Sequence, residues 1–159
     1  MTSSLVPGSG RSGESTQAPS NRPLVAETTF HVRYAETDQM GIVHHSAYLV
    51  WFEEGRSAWT RQAGRPYADF ERTGYVLAVS EVGARYLTPA RYDQKVTVRT
   101  RLSRLRSRLS RFDYEVIDTE TGNLLVTGFT SHVCLDNQGK PARIPAEWRQ
   151  FWLGLVAEA

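Results

Sequence analysis

The 159-residue chain has a single cysteine, Cys134. No intrachain disulfide can form, so the fold does not depend on an oxidising compartment. No apolar run approaches the roughly 20 residues that cross a bilayer as a helix. Net charge is only +2, from 19 basic and 17 acidic side chains, which does not suit a general polyanion binder. The motifs of several common chemistries are missing. There is no GxGxxG and no P-loop, and the lack of GxSxG disfavours an α/β-type serine hydrolase. His44 and His45 have no convincing third ligand at metal spacing, so no metal site and no cofactor is expected. No segment repeats.

What is there suits one globular domain. Hydrophobic residues make up 40% and charged residues 23%, with enough length to bury a core. Residues 1–23 are rich in Ser, Gly and Pro and are expected to form a disordered extension. They lack the apolar middle of a secretory signal, and the default location is the cytoplasm. Residues 24–159 form the expected domain. ETTFHVRYA, residues 27–35, reads as a strand. From His45 to Ala63 apolar positions fall at Tyr48, Trp51, Phe52, Gly55 and Trp59, a helical period with one broad face. Ser46 is the expected N-cap, and Gly64 with Pro66 stops the helix. A short helix is expected over 67–72. Beyond Gly74, YVLAVSEVGARYL, KVTVRTRLSRL, FDYEVIDT and LLVTGFTSHVCLD are strand-like. TETGN and DNQGK read as turns, and a further hairpin is expected between Leu105 and Leu109. Pro145 opens a terminal helix. One long helix followed by four strands in a meander predicts an α+β fold, with the helix on the concave side of an antiparallel sheet.

Residues 33–48, RYAETDQMGIVHHSAY, hold the polar chemistry. Asp38 lies in the loop entering the long helix. The first amides of that helix lack intrahelical partners and carry the positive end of its dipole. A polarised carbonyl oxygen can sit there, while a nearby carboxylate attacks the carbonyl carbon or activates water. A turn or cap role is the alternative for Asp38, and an ordinary surface or partly buried pair is the alternative for His44 and His45. Glu53 and Glu54 read as solvated or arginine-paired. His31 and His132 read as strand residues, and Cys134 as a small core residue.

YAETDQMGIVHHSAYLVWFEEGR resembles the signature of the hotdog-fold acyl-CoA thioesterases. It is similar to the 4-hydroxybenzoyl-CoA thioesterase-like group, including its Tol–Pal-associated branch. The D-x-x-G-x-V-x-[HY]-x-x-Y pattern of that group is matched by Asp38, Gly41, Val43, His45 and Tyr48. RYLTPARYDQKVTVRT and HVCLDNQGKPARIP resemble later parts of the same family. The resemblance covers about Thr28 to Pro145. It implies a five-stranded antiparallel sheet wrapped around one long central helix. It implies a homodimer joined edge to edge, often paired into a homotetramer, with active sites at the subunit interface. By position it makes Asp38 the nucleophile or general base. It puts the oxyanion-binding amide at His45, whose side chain is also implicated. Tyr48 lines the site, and Glu53 matches a helix glutamate. His44 sits where relatives vary and takes a structural or secondary role.

RTRLSRLRSRLSR, residues 99–111, packs six arginines into thirteen positions. Alternation fits a solvated sheet face. The functional alternative is that Arg104, Arg106 and Arg108 meet the phosphates of coenzyme A, for which guanidinium forks are suited. The interleaved Leu and Ser are not stacking residues, so no nucleic-acid partner is expected. The expected activity is hydrolysis of an acyl-CoA. An acyl-carrier-protein thioesterase, with the arginines docking an acidic partner, is the second reading. A non-catalytic acyl-thioester-binding dimer is the third, and a hotdog dehydratase is disfavoured by the Asp–His pattern.

Overall fold

In the computed structural model, residues 22–157 are described. The expected extension at 1–23 lies outside them, apart from its last two positions. The elements run β1 (Val25–His31), a 3-10 turn (Tyr34–Glu36), α1 (Ala47–Gln62), α2 (Tyr67–Glu71), β2 (Val76–Tyr86), β3 (Lys95–Leu105), β4 (Leu109–Asp118), β5 (Leu124–Leu135) and α3 (Ala146–Leu153). The first strand is shorter than expected because the chain turns at Tyr34 to build the loop that carries Asp38. No helix among the described residues is long and apolar enough to cross a membrane.

The five strands form one antiparallel sheet in the order β1-β3-β4-β5-β2. This is the hotdog arrangement, but the expected four-strand meander needs correction. β3, β4 and β5 do form a meander, whereas β2 pairs with β5 at the far edge. β1 already occupies the free side of β3, from Val25↔Arg101 to His31↔Lys95. The link from Tyr86 to Lys95 crosses three strand spacings, about 14 Å. Its eight residues (87–94) can span up to roughly 26 Å. Short connections favour sequential pairing, and this one is long enough to escape it.

The helical period of α1 delivers the expected face. Tyr48, Trp51, Phe52, Gly55 and Trp59 are all buried, against the concave face of the sheet. Register shifts in β2, β3 and β5 bend that sheet around the helix. Phe52 stacks on Tyr114 with ring centroids 4.4 Å apart and planes 7° from parallel. At the far end, Phe70, Trp148 and Trp152 form an aromatic cluster that seats α3. Cys134 is buried in β5 among core residues, as expected.

The helix approaches β5 most closely over Gly128. A methyl group there would stand 2.4 Å from the Phe52 ring and 2.8 Å from the Gly83 carbonyl oxygen. Phe52 is pinned by Tyr114 and cannot withdraw. Gly128→Ala is therefore expected to destabilise the fold by about 1–3 kcal/mol, read as a lower urea midpoint with an unchanged slope.

Candidate active site

The loop between β1 and α1 is held by backbone as much as by side chains. Thr37 and Val43 form an isolated bridge. Within it the Asp38 N–H donates to Ile42 O (2.8 Å), and the Gly41 N–H donates to Asp38 O (3.0 Å). Gly41 has φ +74°, a conformation that a side chain would strain. Asp38 Oδ1 accepts the Met40 N–H at 2.8 Å. That leaves the carboxylate oriented and partly exposed. The β2–β3 link closes over the loop: Val43 N–H donates to Ala90 O (2.9 Å), and Ala90 N–H donates to the Tyr48 hydroxyl (3.1 Å). Burial raises the pKa of Tyr48 above the ordinary phenol value, with the Ala90 bond working against it.

The start of α1 differs from expectation. Ser46 already has helical angles and makes no side-chain cap. Its hydroxyl meets His44 Nδ1 at 2.7 Å, and its N–H donates to the same nitrogen at 3.3 Å. His44 therefore does the capping, because its ring can fold back over an amide that the short serine cannot reach from a helical backbone. The His44 and His45 rings lie 4.2 Å apart. The His45 carbonyl accepts the Tyr86 hydroxyl at 2.9 Å. The His45 N–H makes no backbone hydrogen bond within the described residues.

Asp38, His45 and Tyr48 line one open cavity of about 280 Å³, together with Met40, Tyr86 and Pro89. The three residues come from loop, helix start and helix first turn, and the sequence places them within eleven positions. The other expected residues lie elsewhere. Glu53 is exposed and lines a second cavity beside Arg56 and His132. Arg104 and Arg106 border a groove with Arg149, and Arg108 is exposed in the β3–β4 hairpin. That hairpin is at the opposite end of β3 from His31 and Asp38, roughly 33 Å along the strand. Within one chain the structure does not bring Glu53 or these arginines to Asp38.

Sequence reading missed Glu36. Its carboxylate is buried and takes three donors: Arg33 N–H (2.8 Å), Arg33 Nη2 (3.0 Å) and the indole Nε1 of Trp51 (2.9 Å). Its carbonyl accepts the His44 N–H at 2.8 Å. One residue thus ties both ends of the Asp38 loop to the central helix. Nothing in the local text signals a partner fifteen positions away. Burial alone would raise this carboxyl. The Trp51 and Arg33 hydrogen bonds and the guanidinium charge outweigh it, so the pKa falls below 4.5. A depressed folded-state pKa adds stability above the unfolded value and loses it as pH falls through the folded one. Glu36→Gln keeps an acceptor for Trp51 and removes the ionisation. Its denaturation midpoint is expected to fall less steeply between neutral and acid pH than that of the wild type.

Among the described residues no three His, Cys, Asp or Glu side chains are grouped to hold a metal ion.

Comparison with known proteins bears on this geometry. Residues 32–153 match the family described as the thioesterase-like superfamily. A putative acyl-CoA thioesterase of Bacillus subtilis, YneP, is 35% identical over 114 residues, covering 72% of this chain and 82% of its own. A chloroplastic acyl-acyl carrier protein thioesterase of Arabidopsis thaliana, ATL3, is 29% identical over 132 residues, covering 83% and 70%. The DHNA-CoA thioesterase of Staphylococcus aureus superposes with a TM-score of 0.77 at 32% identity, over 80% of this chain and 88% of that one.

Proposed function

The chain belongs to the thioesterase-like superfamily, and from that premise we propose that it hydrolyses an acyl-CoA to the free acid and coenzyme A at the Asp38 cavity. The observation that carries this reading is the single cavity shared by the Asp38 carboxylate, the start of α1 at His45, and Tyr48. The thioester carbonyl lies with its oxygen toward the His45 amide. Negative charge developing on that oxygen is stabilised by the amide and the helix dipole. Asp38 either attacks the carbonyl carbon, giving an acyl-aspartyl anhydride that water then opens, or removes a proton from the attacking water. The tetrahedral intermediate collapses with loss of the thiolate, a good leaving group. Tyr48 shapes the wall and, through Ala90, holds the β2–β3 link over the site. The finer placement in the Tol–Pal-associated branch rests on the Asp38–Tyr48 signature alone.

The proposed assembly is a homodimer through β2, with a homotetramer formed by pairing of dimers. β2 is an edge strand of 11 residues, with Val79 and Val82 about half exposed, and an uncovered edge of that length invites pairing. Two-fold antiparallel pairing sets the Val76 end of one β2 beside the Tyr86 end of the other. The Arg104–Arg108 hairpin lies at the Val76 end of its own sheet. It would therefore flank the partner's cavity, within reach of the coenzyme phosphates. Exposure of the same arginines favours the second reading, an acyl-carrier-protein substrate.

Thiol release from a panel of acyl-CoAs, short, long and aromatic, and from acyl carrier protein at two salt concentrations tests this. Turnover of at least one acyl-CoA is expected. Turnover confined to the carrier protein and falling with salt would replace the first reading by the second.

A further inference from the structure

A second cavity lies behind the second half of α1, between that helix, α2, α3 and the sheet. It holds about 140 Å³ and shares no lining residue with the Asp38 cavity. From Tyr48 to Ser57 the two are separated by roughly 13 Å of helix. The fully buried Phe52 stands on α1 between those two positions.

Its polar lining joins Arg56, His132 and Trp152 to the Ser57, Thr60 and Tyr67 hydroxyls, with Glu53 at the rim. Arg56 has no acceptor atom, so its Nη1 donates to the Tyr114 hydroxyl, 3.2 Å away. The Tyr114 and Thr130 hydroxyls share a hydrogen bond of 2.6 Å. Thr130 Oγ1 is in turn hydrogen-bonded to His132 Nε2 at 2.8 Å. With Thr130 donating to that nitrogen, the neutral ring carries its hydrogen on Nδ1. Burial, with a smaller push from the Arg56 charge, lowers the His132 pKa to about 4, against a weaker opposing influence of the nearby Leu77 carbonyl, so the ring is neutral at physiological pH. His132 Nδ1 and Trp152 Nε1 are both buried and without a hydrogen-bond partner. His132 is 1% exposed and Trp152 2%. Arg56 joins none of the ion pairs of the described residues. Orphaned buried donors and an unpaired, half-buried guanidinium are costly unless an acceptor comes to them.

The complement is an anion that only accepts. The remaining wall includes Leu77 and Phe112, so the anion carries a short hydrocarbon. Phosphate, with no apolar part and more oxygens than these donors satisfy, fits poorly. Glu53, the carboxylate at the cavity's rim, is exposed and bars a second negative charge. We infer that this chamber is a separate binding site for a small monocarboxylate, held by Arg56 and the His132 and Trp152 N–H groups, with its tail against Leu77 and Phe112. The site stands on these residues and does not depend on the reaction proposed for Asp38.

Calorimetric titration of the whole protein with butyrate and benzoate, against chloride and inorganic phosphate at equal ionic strength, tests it. One carboxylate per chain is expected to bind, and phosphate is not. Arg56→Met is expected to weaken binding about tenfold or more, as loss of a charge-assisted bond does. Ser57→Leu, which fills the chamber from a half-buried position, should abolish it. Asp38→Asn should leave it unchanged. Nitrogen NMR of the imidazole gives a readout independent of these variants: the Nδ1–H tautomer is expected, and its resonance should shift with butyrate. Failure of both acids to bind, binding that survives Ser57→Leu, binding lost in Asp38→Asn, or an Nε2–H tautomer would each overturn the site.

Discussion

Asp38→Asn is expected to reduce thiol release by about 100-fold or more, the scale on which a positioned acid or base acts. Asparagine keeps the size of the side chain and the Oδ1 acceptor for the Met40 N–H. The turn from Thr37 to Val43, closed by backbone bonds, should therefore stand, and the melting temperature should hardly move. What disappears is the negative charge and the lone-pair basicity, which both versions of the mechanism need. Steady-state kinetics on the best acyl-CoA of the panel, beside a thermal melt, would check this. A folded variant with wild-type turnover would reduce Asp38 to a turn residue and move the chemistry elsewhere.

Trp59→Ala is expected to cost about 3–5 kcal/mol, a large share of the roughly 5–15 kcal/mol that holds a domain together. Trp59 is completely buried, and its ring meets Phe112 edge-on at 5.3 Å. Its indole N–H donates to the Leu24 carbonyl at 3.1 Å. Leu24 N–H is bonded in turn to Leu155 O at 3.0 Å. Truncation removes the ring between α1 and β4 and leaves that carbonyl without its donor. Trp59→Phe keeps much of the packing and should lose less. Urea denaturation of the two variants separates the packing contribution from the hydrogen bond. Equal, small losses in both would show that the site collapses to fill the gap.

The central helix was legible because its information is periodic and local. Tyr48, Trp51, Phe52, Gly55 and Trp59 recur at the helical repeat, and all five are buried. Much of the candidate site was legible for a related reason. A turn, a carboxylate and a helix start that follow one another in the chain must also lie near one another in space. The resemblance then supplied roles for Asp38, His45 and Tyr48 that spacing alone left open.

Other features escaped because their partners are distant in sequence. Glu36 sits two residues before Asp38, yet its role comes from Trp51 on the helix. The capping of α1 by His44 rather than Ser46 was set by backbone angles that composition does not encode. Arg104, Arg106 and Arg108 stand out as a charge run, but strand length carries them to the other end of the sheet.

By itself the sequence determined the element types, the buried stripe of α1, and the loop that presents Asp38 at the helix start. These depend on side-chain period, turn chemistry and the unpaired amides of a first helical turn, all of which act within a few residues. Only the tertiary structure decided that β2 crosses to pair with β5, that Glu36 clamps the loop, and that Arg56, Tyr114, Thr130 and His132 join in one chain of hydrogen bonds. Those depend on which strands meet and on which polar groups lose water together. Burial makes such pairings obligatory, but it does not write them into any local pattern.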